Sequence, residues 1–414
     1  MSKFKIKNSC RVCGSSELHK FLDLGLTHLA DRFLIDEQEM LNDLKFPLAV
    51  NVCGSCGWHQ LTVVVDESLM YVENYPYDSR TTETGQKHWA ELTIKAISLF
   101  ERNENEIKVL DIGSNTGALL SEFKIRGCKV LGIDPSIDAC RIAQTFGIDS
   151  VVDFFGKTAV NKLIDASFYP DIITSTNSFA HTDDLSSWLS LVERILSPNG
   201  VLIIEAPHVL NLFTLNQFDT IYHEHLSYVS LTPLINLFQS HNLTIFNVEE
   251  VDIHGGSIRI FAGKNQNVVN ESVAKLASRE SELRISNLTF LLDFAKSVEK
   301  NRDVLRDFLT NLVKSGKTLG ILSAPAKGMT YFSYCGLSQF EILGISDKNP
   351  LKINKFAPGT GLRVITDAEL IAIAPDYLLI LAWNFKNEII SNMVKLGYRN
   401  KFIVGVPGLE VIDA

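Results

Sequence analysis

The 414-residue chain has no long apolar run, no excess of basic residues and few cysteines. No stretch approaches the roughly 18–20 apolar residues of a membrane-spanning helix, and the first residues do not form a signal-peptide pattern. Acidic residues (48) outnumber lysine and arginine (39), giving a net charge of -9, which argues against a nucleic-acid-binding surface. Seven cysteines do not suggest a disulfide framework. The composition predicts a cytoplasmic protein of two or three globular domains that binds neither membrane nor nucleic acid.

The glycine spacing G-x-G-x-x-G of dinucleotide-binding strands is also missing. Its place is taken by Val109-Leu-Asp-Ile-Gly-Ser-Asn-Thr-Gly117, an apolar strand followed by a turn. The turn keeps Gly113 and Gly117, and Asp111 stands where the first glycine would be. A carboxylate there suits a cationic ligand better than a pyrophosphate. The stretch, with Asn115 in its turn, resembles the motif that binds S-adenosylmethionine (SAM) in methyltransferases.

Further strands support a cofactor-binding sheet around this turn. A second apolar strand ends at Asp134, 21 residues after Gly113, where an acid holds a ribose diol in such folds. Asp153 and Phe154 follow the expected third strand near an adenine ring, although burial in the core explains the aromatic residue equally well. Helical segments alternate with strands at Lys108–Ile112, Lys129–Ile133, Asp171–Ser175 and Val201–Ala206. This alternation predicts a doubly wound parallel sheet that binds ligands beyond the carboxyl ends of its strands.

Four of the cysteines form two C-x-x-C-G knuckles, at Cys10 and Cys13 and at Cys53 and Cys56. Four thiolates in two such knuckles are typical of a closed tetrahedral zinc site, which has a structural role. A redox C-x-x-C pair is the alternative, but it expects a single motif at the start of a helix. The spacing therefore favours structural zinc in a small amino-terminal module.

Two polar clusters follow neighbouring strands of the predicted sheet: Asn177-Ser-Phe-Ala-His181 and Tyr222-His223-Glu224-His225. Tyrosine, histidine and glutamate are the residues that move protons near neutral pH. Two alternatives remain open: these histidines are core residues, or His223, His225 and His254 bind a catalytic metal. The conformation of 220–228 is also open, because an extended strand and a tight turn would present different side chains.

A tyrosine-rich stretch containing Tyr75, Tyr77 and Ser79 precedes the cofactor strand. It lacks regular periodicity and is predicted to be a loop. Aromatic residues in a loop either pack against the protein or cover a ligand.

The last third of the chain predicts a second Rossmann-like unit after connecting helices. Residues 268–314 contain neither glycine nor proline, and strand-like segments follow them. Lys327 lies in a turn without the glycine spacing of an NAD site, and its side chain suits a phosphate. Asn349, Lys352 and Trp383 are further polar and aromatic candidates. The alternative is a duplicated fold that only packs against the centre.

Together these motifs resemble a known family, the SAM-dependent sugar C-methyltransferases that act at C-3 of nucleotide-linked 4-keto-deoxysugars. The resemblance covers nearly the whole chain in order. Its most specific strings are Phe218-Asp-Thr-Ile-Tyr222-His-Glu-His225 and His254-Gly-Gly-Ser257.

The resemblance implies an architecture and a chemistry. A zinc-binding module would occupy residues 1–75 and a Rossmann-like SAM domain residues 76–265. Linker helices and a Rossmann-like sugar-nucleotide-binding domain would follow in 266–414. His225 would remove the C-3 proton, and Glu224 would orient the cluster. Tyr222 and His181 would stabilise the resulting enolate.

The resemblance also implies binding residues and leaves alternatives. The expected SAM contacts are Asp111, Gly113, Asn115, Gly117, Asp134, Asp153, Phe154, Asn177, Tyr77 and Ser79. The expected sugar-nucleotide contacts are Tyr75, His254, Ser257, Lys327, Asn349, Lys352 and Trp383. A sugar O- or N-methyltransferase is one alternative, and a zinc-ribbon nucleic-acid-binding protein with a vestigial cofactor fold is another. Three domains around one site are compatible with a monomer.

Overall fold

The computed structural model describes residues 3–71, 83–253, 255–265 and 268–414. Its amino-terminal part contains β1 (Phe4–Ile6), β2 (Leu18–His28), α1 (Glu37–Leu41), β3 (Lys45–Cys53), β4 (His59–Leu61) and β5 (Val63–Val65). Strands β2, β3 and β4 form an antiparallel sheet, and β5 pairs with β1. Cys53 ends β3, so the second cysteine knuckle begins where the sheet stops.

The central part alternates helices and strands, as the sequence predicts. Its elements are α2 (Glu83–Ile97), β6 (Lys108–Ile112), α3 (Ala118–Ile125), β7 (Lys129–Asp134), α4 (Ile137–Thr145), β8 (Ser150–Val152), α5 (Lys157–Asp165), β9 (Ile172–Thr176), α6 (Leu185–Ile195), β10 (Val201–Pro207), α7 (Val209–Thr214), β11 (Ser227–Tyr228), α8 (Leu231–Gln239), β12 (Thr244–Val251) and β13 (Ser257–Gly263).

Seven of these strands form one sheet in the order β12-β13-β10-β9-β6-β7-β8. The five strands from β10 to β8 are parallel, which confirms the predicted doubly wound sheet. They are rich in buried aliphatic residues such as Leu110, Ile173 and Leu202, because helices cover both faces. Strands β12 and β13 add an antiparallel pair that the sequence pattern did not predict.

The carboxyl-terminal part contains a second, smaller Rossmann-like sheet. Its elements are α9 (Glu271–Glu282), α10 (Leu288–Lys314), β14 (Leu319–Leu322), α11 (Ala326–Tyr334), β15 (Ile342–Ser346), β16 (Val364–Ile365), α12 (Asp367–Ile373), β17 (Tyr377–Ile380), α13 (Lys386–Lys395), β18 (Lys401–Val404) and β19 (Glu410–Asp413). The strand order is β16-β15-β14-β17-β18-β19, and only β19 is antiparallel to its neighbour. None of the helices in the described ranges is long and apolar enough to cross a membrane.

One hydrophobic cluster contains residues from all three parts. The ring of Phe213 contacts Phe21 at 6.0 Å and Phe294 at 4.9 Å between centroids, joining β2, α7 and α10. In addition, β11 pairs with β4 and extends the amino-terminal sheet with residues from the central part. These contacts fix the relative positions of the parts, although the domain boundaries after residues 75 and 265 stay predictions.

A buried carboxylate, Glu280 of α9, connects three helices. It accepts hydrogen bonds from the backbone N–H groups of Leu231 (2.6 Å) and Thr232 (2.9 Å) at the start of α8. It also pairs with Nε2 of His208, 2.9 Å away, immediately before α7. Glu280, His208 and Leu231 are buried, so loss of the carboxylate would leave buried polar groups without partners.

We expect Glu280→Ala to destabilise the fold by about 3–5 kcal/mol, the usual cost of removing one partner from a buried pair. Urea unfolding followed by circular dichroism measures the effect. The matched control is Glu282→Ala, an exposed position on the same helix, which should change stability by less than about 0.5 kcal/mol. Equal midpoints for the two variants would contradict the assigned role of Glu280.

Candidate active site

The two Rossmann-like sheets direct the carboxyl ends of their parallel strands at one cavity of about 1110 Å³. All three parts of the chain contribute to its walls. Twelve predicted site residues line it: Gly113, Asn115, Asp134, Asp153, Phe154, Asn177, His181, Tyr222, His225, Lys327, Asn349 and Lys352. The fold therefore brings most of the predicted site together.

The turn after β6 approaches the cavity closely because it contains glycine. Gly113 has a φ of +77°, and a Cβ atom there would lie 2.6 Å from Cβ of Ser178. Only glycine adopts this conformation without strain in so little space. Gly117 also has a positive φ, but a Cβ there would contact Ala143 and Ile148 rather than the cavity. Gly117 therefore serves helix packing.

Asp134, at the end of β7, has the geometry expected of a ribose-binding acid. Its Oδ2 accepts the backbone N–H of Asn115 (2.8 Å), and its Oδ1 accepts that of Ser136 (2.9 Å). Each carboxylate oxygen has a second lone pair, and the residue lines the cavity. Burial raises the pKa of Asp134, while the two backbone hydrogen bonds oppose the shift. The arrangement fits the diol of a nucleoside such as that of SAM.

Asp111 lies behind this turn and outside the cavity lining. Its Oδ1 accepts a hydrogen bond from the hydroxyl of Thr174 at 2.7 Å. Burial raises the pKa of the carboxyl group from 3.8 to about 7, despite the opposing hydrogen bond from Thr174. Near neutral pH the group therefore stands between its protonated and ionised forms.

Asp111 should make stability fall as pH rises. The pKa of Asp111 is higher in the folded state, so stability falls as pH rises from the unfolded pKa of about 4 to the folded pKa of about 7. The full cost remains at higher pH. Asp111→Asn removes this loss, which at about 1.4 kcal/mol per pKa unit is on the order of 4 kcal/mol. In urea unfolding without SAM, the variant should match wild type at pH 4 and exceed it at pH 8. A pH-independent difference would contradict this, and exposed Asp138→Asn is the control.

Residues after β8 and β9 form the adjacent walls. Asp153 and Phe154 line the cavity where the sequence predicted them, and the Phe154 ring meets Tyr71 edge-on at 6.3 Å. Asn177 has a φ of +58°, and its N–H donates to the carbonyl of Glu205. Its Oδ1 is buried without a hydrogen-bond partner in the described part of the chain. Asn177 can therefore accept a hydrogen bond from a bound cofactor.

The segment 218–228 is a compact turn followed by the short strand β11, rather than one extended strand. The turn folds the ring of His225 back, and its Nδ1 lies 2.8 Å from the carbonyl oxygen of Thr220. A carbonyl oxygen only accepts, so Nδ1 carries the proton, and the lone pair of the neutral ring is on Nε2. The sequence left this conformation undecided, because tertiary contacts determine it.

Aromatic rings from three segments pack around His225. The Tyr222 ring lies 4.0 Å from it and the His181 ring 5.3 Å, and Tyr71 stacks on His181 at 5.7 Å. Burial and then the positive charge of a protonated His225 lower the pKa of His181 well below its usual value. His181 is therefore neutral at pH 7. Its Nε2 is buried and has no partner within the described ranges.

The neighbouring His223 has a different environment. Its Nε2 donates to the carbonyl of Pro47 at 3.2 Å, and burial lowers its pKa to about 4. Among the described residues, neither His223 nor His225 belongs to a group with metal-ligand spacing. His254, the third ligand of the metal alternative, lies outside the described residues.

Several predicted residues are outside the cavity lining or the described ranges. Glu224 is buried. The pKa of Tyr71 is raised mainly by the burial of Tyr71 and further by the negative charge of Glu224. Ser257 is buried in β13 and donates its hydroxyl to the carbonyl of Ile253. Trp383 donates Nε1–H to Asp219 at 2.6 Å. Tyr75, Tyr77 and Ser79 lie outside the described residues, as does His254.

The second sheet repeats the acid geometry of the first. Oδ2 of Asp347 accepts the N–H of Ala324 and Oδ1 accepts that of Asn349, both at 2.9 Å. Lys352 is buried beside them, with Nζ 2.8 Å from the carbonyl of Ala324. The Nζ atom of Lys327 lies 4.7 Å above the ring of Trp383. This wall therefore presents lysines beside its acids, which an anionic ligand could use.

Many cavity residues were not among the predicted site residues, and Tyr71 and Asp31 are two examples. Tyr71 begins the tyrosine-rich stretch, so the aromatic cluster was the signal that could have identified it. Asp31 follows β2 and lines the cavity, but no sequence pattern distinguishes it from other loop acids. Its position depends on how the amino-terminal part packs against the sheets.

The four knuckle cysteines lie away from this cavity and form a zinc site. Sγ of Cys10 is 3.6 Å from Sγ of Cys56, and Sγ of Cys13 is 3.6 Å from Sγ of Cys53. All four sulfur atoms lie within 4.8 Å of one another. Tetrahedral zinc with bonds of about 2.3 Å requires sulfur separations of about 3.8 Å, so the four thiolates fit. They leave no open position, which makes the metal structural.

The doubly wound sheet, the glycine turn and the Asp134 carboxylate define a SAM-dependent methyltransferase. Residues 84–248 match the family model "Methyltransferase domain". Residues 252–407 match "C-methyltransferase C-terminal domain", and residues 10–71 match "Putative zinc binding domain". SAM is the cofactor of the central part, and zinc belongs to the amino-terminal part.

Comparison over the full length identifies the family. C-methyltransferase NovU of Streptomyces niveus is 32% identical over 410 residues, 98% of this chain and 97% of that protein. The chain therefore belongs to the SAM-dependent sugar C-methyltransferase family that its motifs resemble.

Other similarities are confined to part of the chain. A ubiquinone biosynthesis O-methyltransferase of Rhodopseudomonas palustris (strain HaA2) is 27% identical over 111 residues, covering 25% of this chain and 44% of that enzyme. Magnesium protoporphyrin IX methyltransferase of Synechocystis PCC 6803, solved with bound SAH, is 15% identical. The superposition covers 45% of this chain and 89% of the Synechocystis enzyme, with a TM-score of 0.35.

Proposed function

We propose that this enzyme methylates C-3 of a 4-keto-deoxysugar linked to a nucleotide, through an enolate. The observation that carries the proposal is the hydrogen bond from Nδ1 of His225 to Thr220. It leaves the basic lone pair of the neutral ring on Nε2, in a residue that lines the cavity. Methylation of carbon requires such a base because a C–H bond must be broken first.

The 4-keto group acidifies the hydrogen on C-3. Nε2 of His225 removes this proton, and the electron pair of the C–H bond moves to the 4-oxygen. SAM, when bound, would supply an electrophilic methyl group. The electron pair returns from the 4-oxygen to C-3 and forms the C–C bond as the sulfur–methyl bond breaks, which restores the ketone and leaves S-adenosylhomocysteine. His225 then releases its proton to solvent.

Tyr222 and His181 are assigned to the developing charge on the 4-oxygen. Both side chains line the cavity and pack against the His225 ring. His181 is neutral, so it can donate an N–H without competing with His225 for the proton. Donors held in place before the reaction stabilise a forming oxyanion most effectively. Glu224 is assigned to orienting the cluster from its buried position.

The carboxyl-terminal wall is assigned to the nucleotide. Lys327 and Lys352 would attract a diphosphate, and Asn349 and Trp383 would contact the remaining polar and aromatic groups. The expected SAM contacts begin with Asp134 for the ribose and continue with Asp153, Phe154 and Asn177. Tyr75, His254 and Ser257 stay predicted substrate contacts.

Exchange of the C-3 hydrogen with solvent deuterium tests the base. His225→Ala should slow this exchange by about 10²–10⁴-fold, the usual contribution of a positioned base, while SAM binds as before. Mass spectrometry of a 4-keto nucleotide sugar incubated in D₂O measures the exchange. The matched control is His19→Ala, because His19 is an exposed histidine outside the cavity lining.

Two outcomes would contradict the proposal. Exchange at the wild-type rate in His225→Ala would remove this residue from the role of base. With a substrate that carries deuterium at C-3, methyl transfer by wild type without loss of that deuterium would indicate a sugar O- or N-methyltransferase instead.

A further inference from the structure

We propose that Arg11, which lies between two zinc ligands, is a positioning residue for methyl transfer. Its guanidinium group holds the segments that carry His181 and His225, so the zinc knuckle determines the geometry of the cluster without touching the substrate. The inference rests on the proposed function of these two histidines.

The knuckle fixes Arg11 at both its backbone and its side chain. Its backbone N–H donates to Oε1 of Gln60 at 2.8 Å, and the Gln60 amide donates back to the carbonyl of Ser9. The Arg11 side chain is fully buried, with 0% exposure. A buried guanidinium is costly unless it is paired and hydrogen-bonded. Two of its nitrogens, Nε and Nη1, have partners, and Nη2 has none among the described residues.

The first partner is Asp183, two residues after His181. Nε of Arg11 donates to Oδ1 of Asp183 at 3.1 Å. Lys7 and Lys5 approach the same carboxylate at 3.0 Å and 3.3 Å. Asp183 lies in the short loop between the turn ending at His181 and helix α6. The amino-terminal part thus anchors the loop that presents His181.

The second partner is the carbonyl of Leu61 in β4, which accepts from Nη1 of Arg11 at 3.0 Å. The N–H of Leu61 donates to the carbonyl of Leu226 at 3.0 Å, and β4 continues by pairing with β11. Leu226 directly follows His225. The Arg11 guanidinium is therefore connected to the His181 segment by one hydrogen bond and to the His225 segment by two successive hydrogen bonds through Leu61.

This linkage matters because the rings of His181 and His225 are 5.3 Å apart. Displacement of a catalytic group by about 1 Å costs on the order of 10²-fold in rate. A purely structural Arg11 would instead affect folding and SAM binding together with turnover.

A double-mutant cycle with Arg11→Met and Asp183→Asn separates the two roles. Each single variant should lower kcat by about 10–100-fold and leave zinc content and the Kd for SAM unchanged within about threefold. Both variants remove the Arg11–Asp183 ion pair, although each also loses a partner of its own. The loss of kcat in the double variant should therefore be smaller than the product of the two single losses. Lys20→Met is the matched control, because Lys20 is 56% exposed, pairs only with exposed Asp23 among the described ion pairs and lies outside the cavity lining.

The proposal would be overturned if both single variants kept the wild-type kcat. It would also be overturned if the single effects multiplied in the double variant, or if the affinity for SAM fell as much as kcat. If Arg11→Met loses zinc, Asp183→Asn decides together with the backbone exchange described below, because Asp183 lies outside the knuckle but lines the cavity. Asp183→Asn should then reproduce the loss of kcat with zinc retained, and wild-type kcat would overturn the proposal.

Hydrogen–deuterium exchange of the protein backbone tests the positioning without a substrate. Arg11→Met and Asp183→Asn should speed exchange in residues 179–184, with rates in the buried strand β6 unchanged. Unchanged exchange in 179–184 would overturn the positioning role. If wild type methylates no carbon, the proposed function fails, while this measurement still decides whether Arg11 holds the loop.

Discussion

The pairing of β11 with β4 is the constraint on which the arrangement of the site depends. It is only two residues long, with Ser227 opposite Gln60 and Tyr228 opposite His59. It nevertheless fixes the chain immediately after His225 to a sheet whose neighbouring strand ends in a zinc ligand. Without this anchor, the segment 218–226 would be an irregular connection over the edge of the central sheet. With it, the turn is packed between two Rossmann-like units.

The two halves of the cavity differ in charge in a way that suits two different ligands. Asp134 and Asp347 accept equivalent pairs of backbone hydrogen bonds, so both sheets keep the geometry of a nucleoside-binding strand end. On the carboxyl-terminal wall three lysines balance three acids, whereas acids outnumber lysines beside Asp134. A cationic methyl donor would thus be favoured on the first wall, and an anionic ligand would find its lysine partners on the second. The histidine cluster lies where their reactive ends would meet.

The sequence was most informative where a structural requirement is local. Strand β6 has the predicted limits because buried parallel strands are apolar and end at glycine turns. The cysteine spacing alone predicted the zinc site, since four thiolates in two C-x-x-C-G knuckles are typical of a closed tetrahedral zinc site. The tight turn at 218–226 was not predictable, because its alternating residues also suit a strand and only the contact with β4 decides. Tyr71, Asp31 and the Trp383–Asp219 contact join distant segments, so their roles depend on packing between parts.

Formation of a carbon–carbon bond is the central claim, and nuclear magnetic resonance of the product tests it most directly. The enzyme would be incubated with SAM carrying a ¹³C methyl group and with nucleotide-linked 4-keto-deoxysugars labelled with ¹³C at C-3. The account predicts one-bond coupling between the transferred methyl carbon and C-3. A methyl group attached to oxygen or nitrogen, or no transfer to any 4-keto sugar, would contradict it.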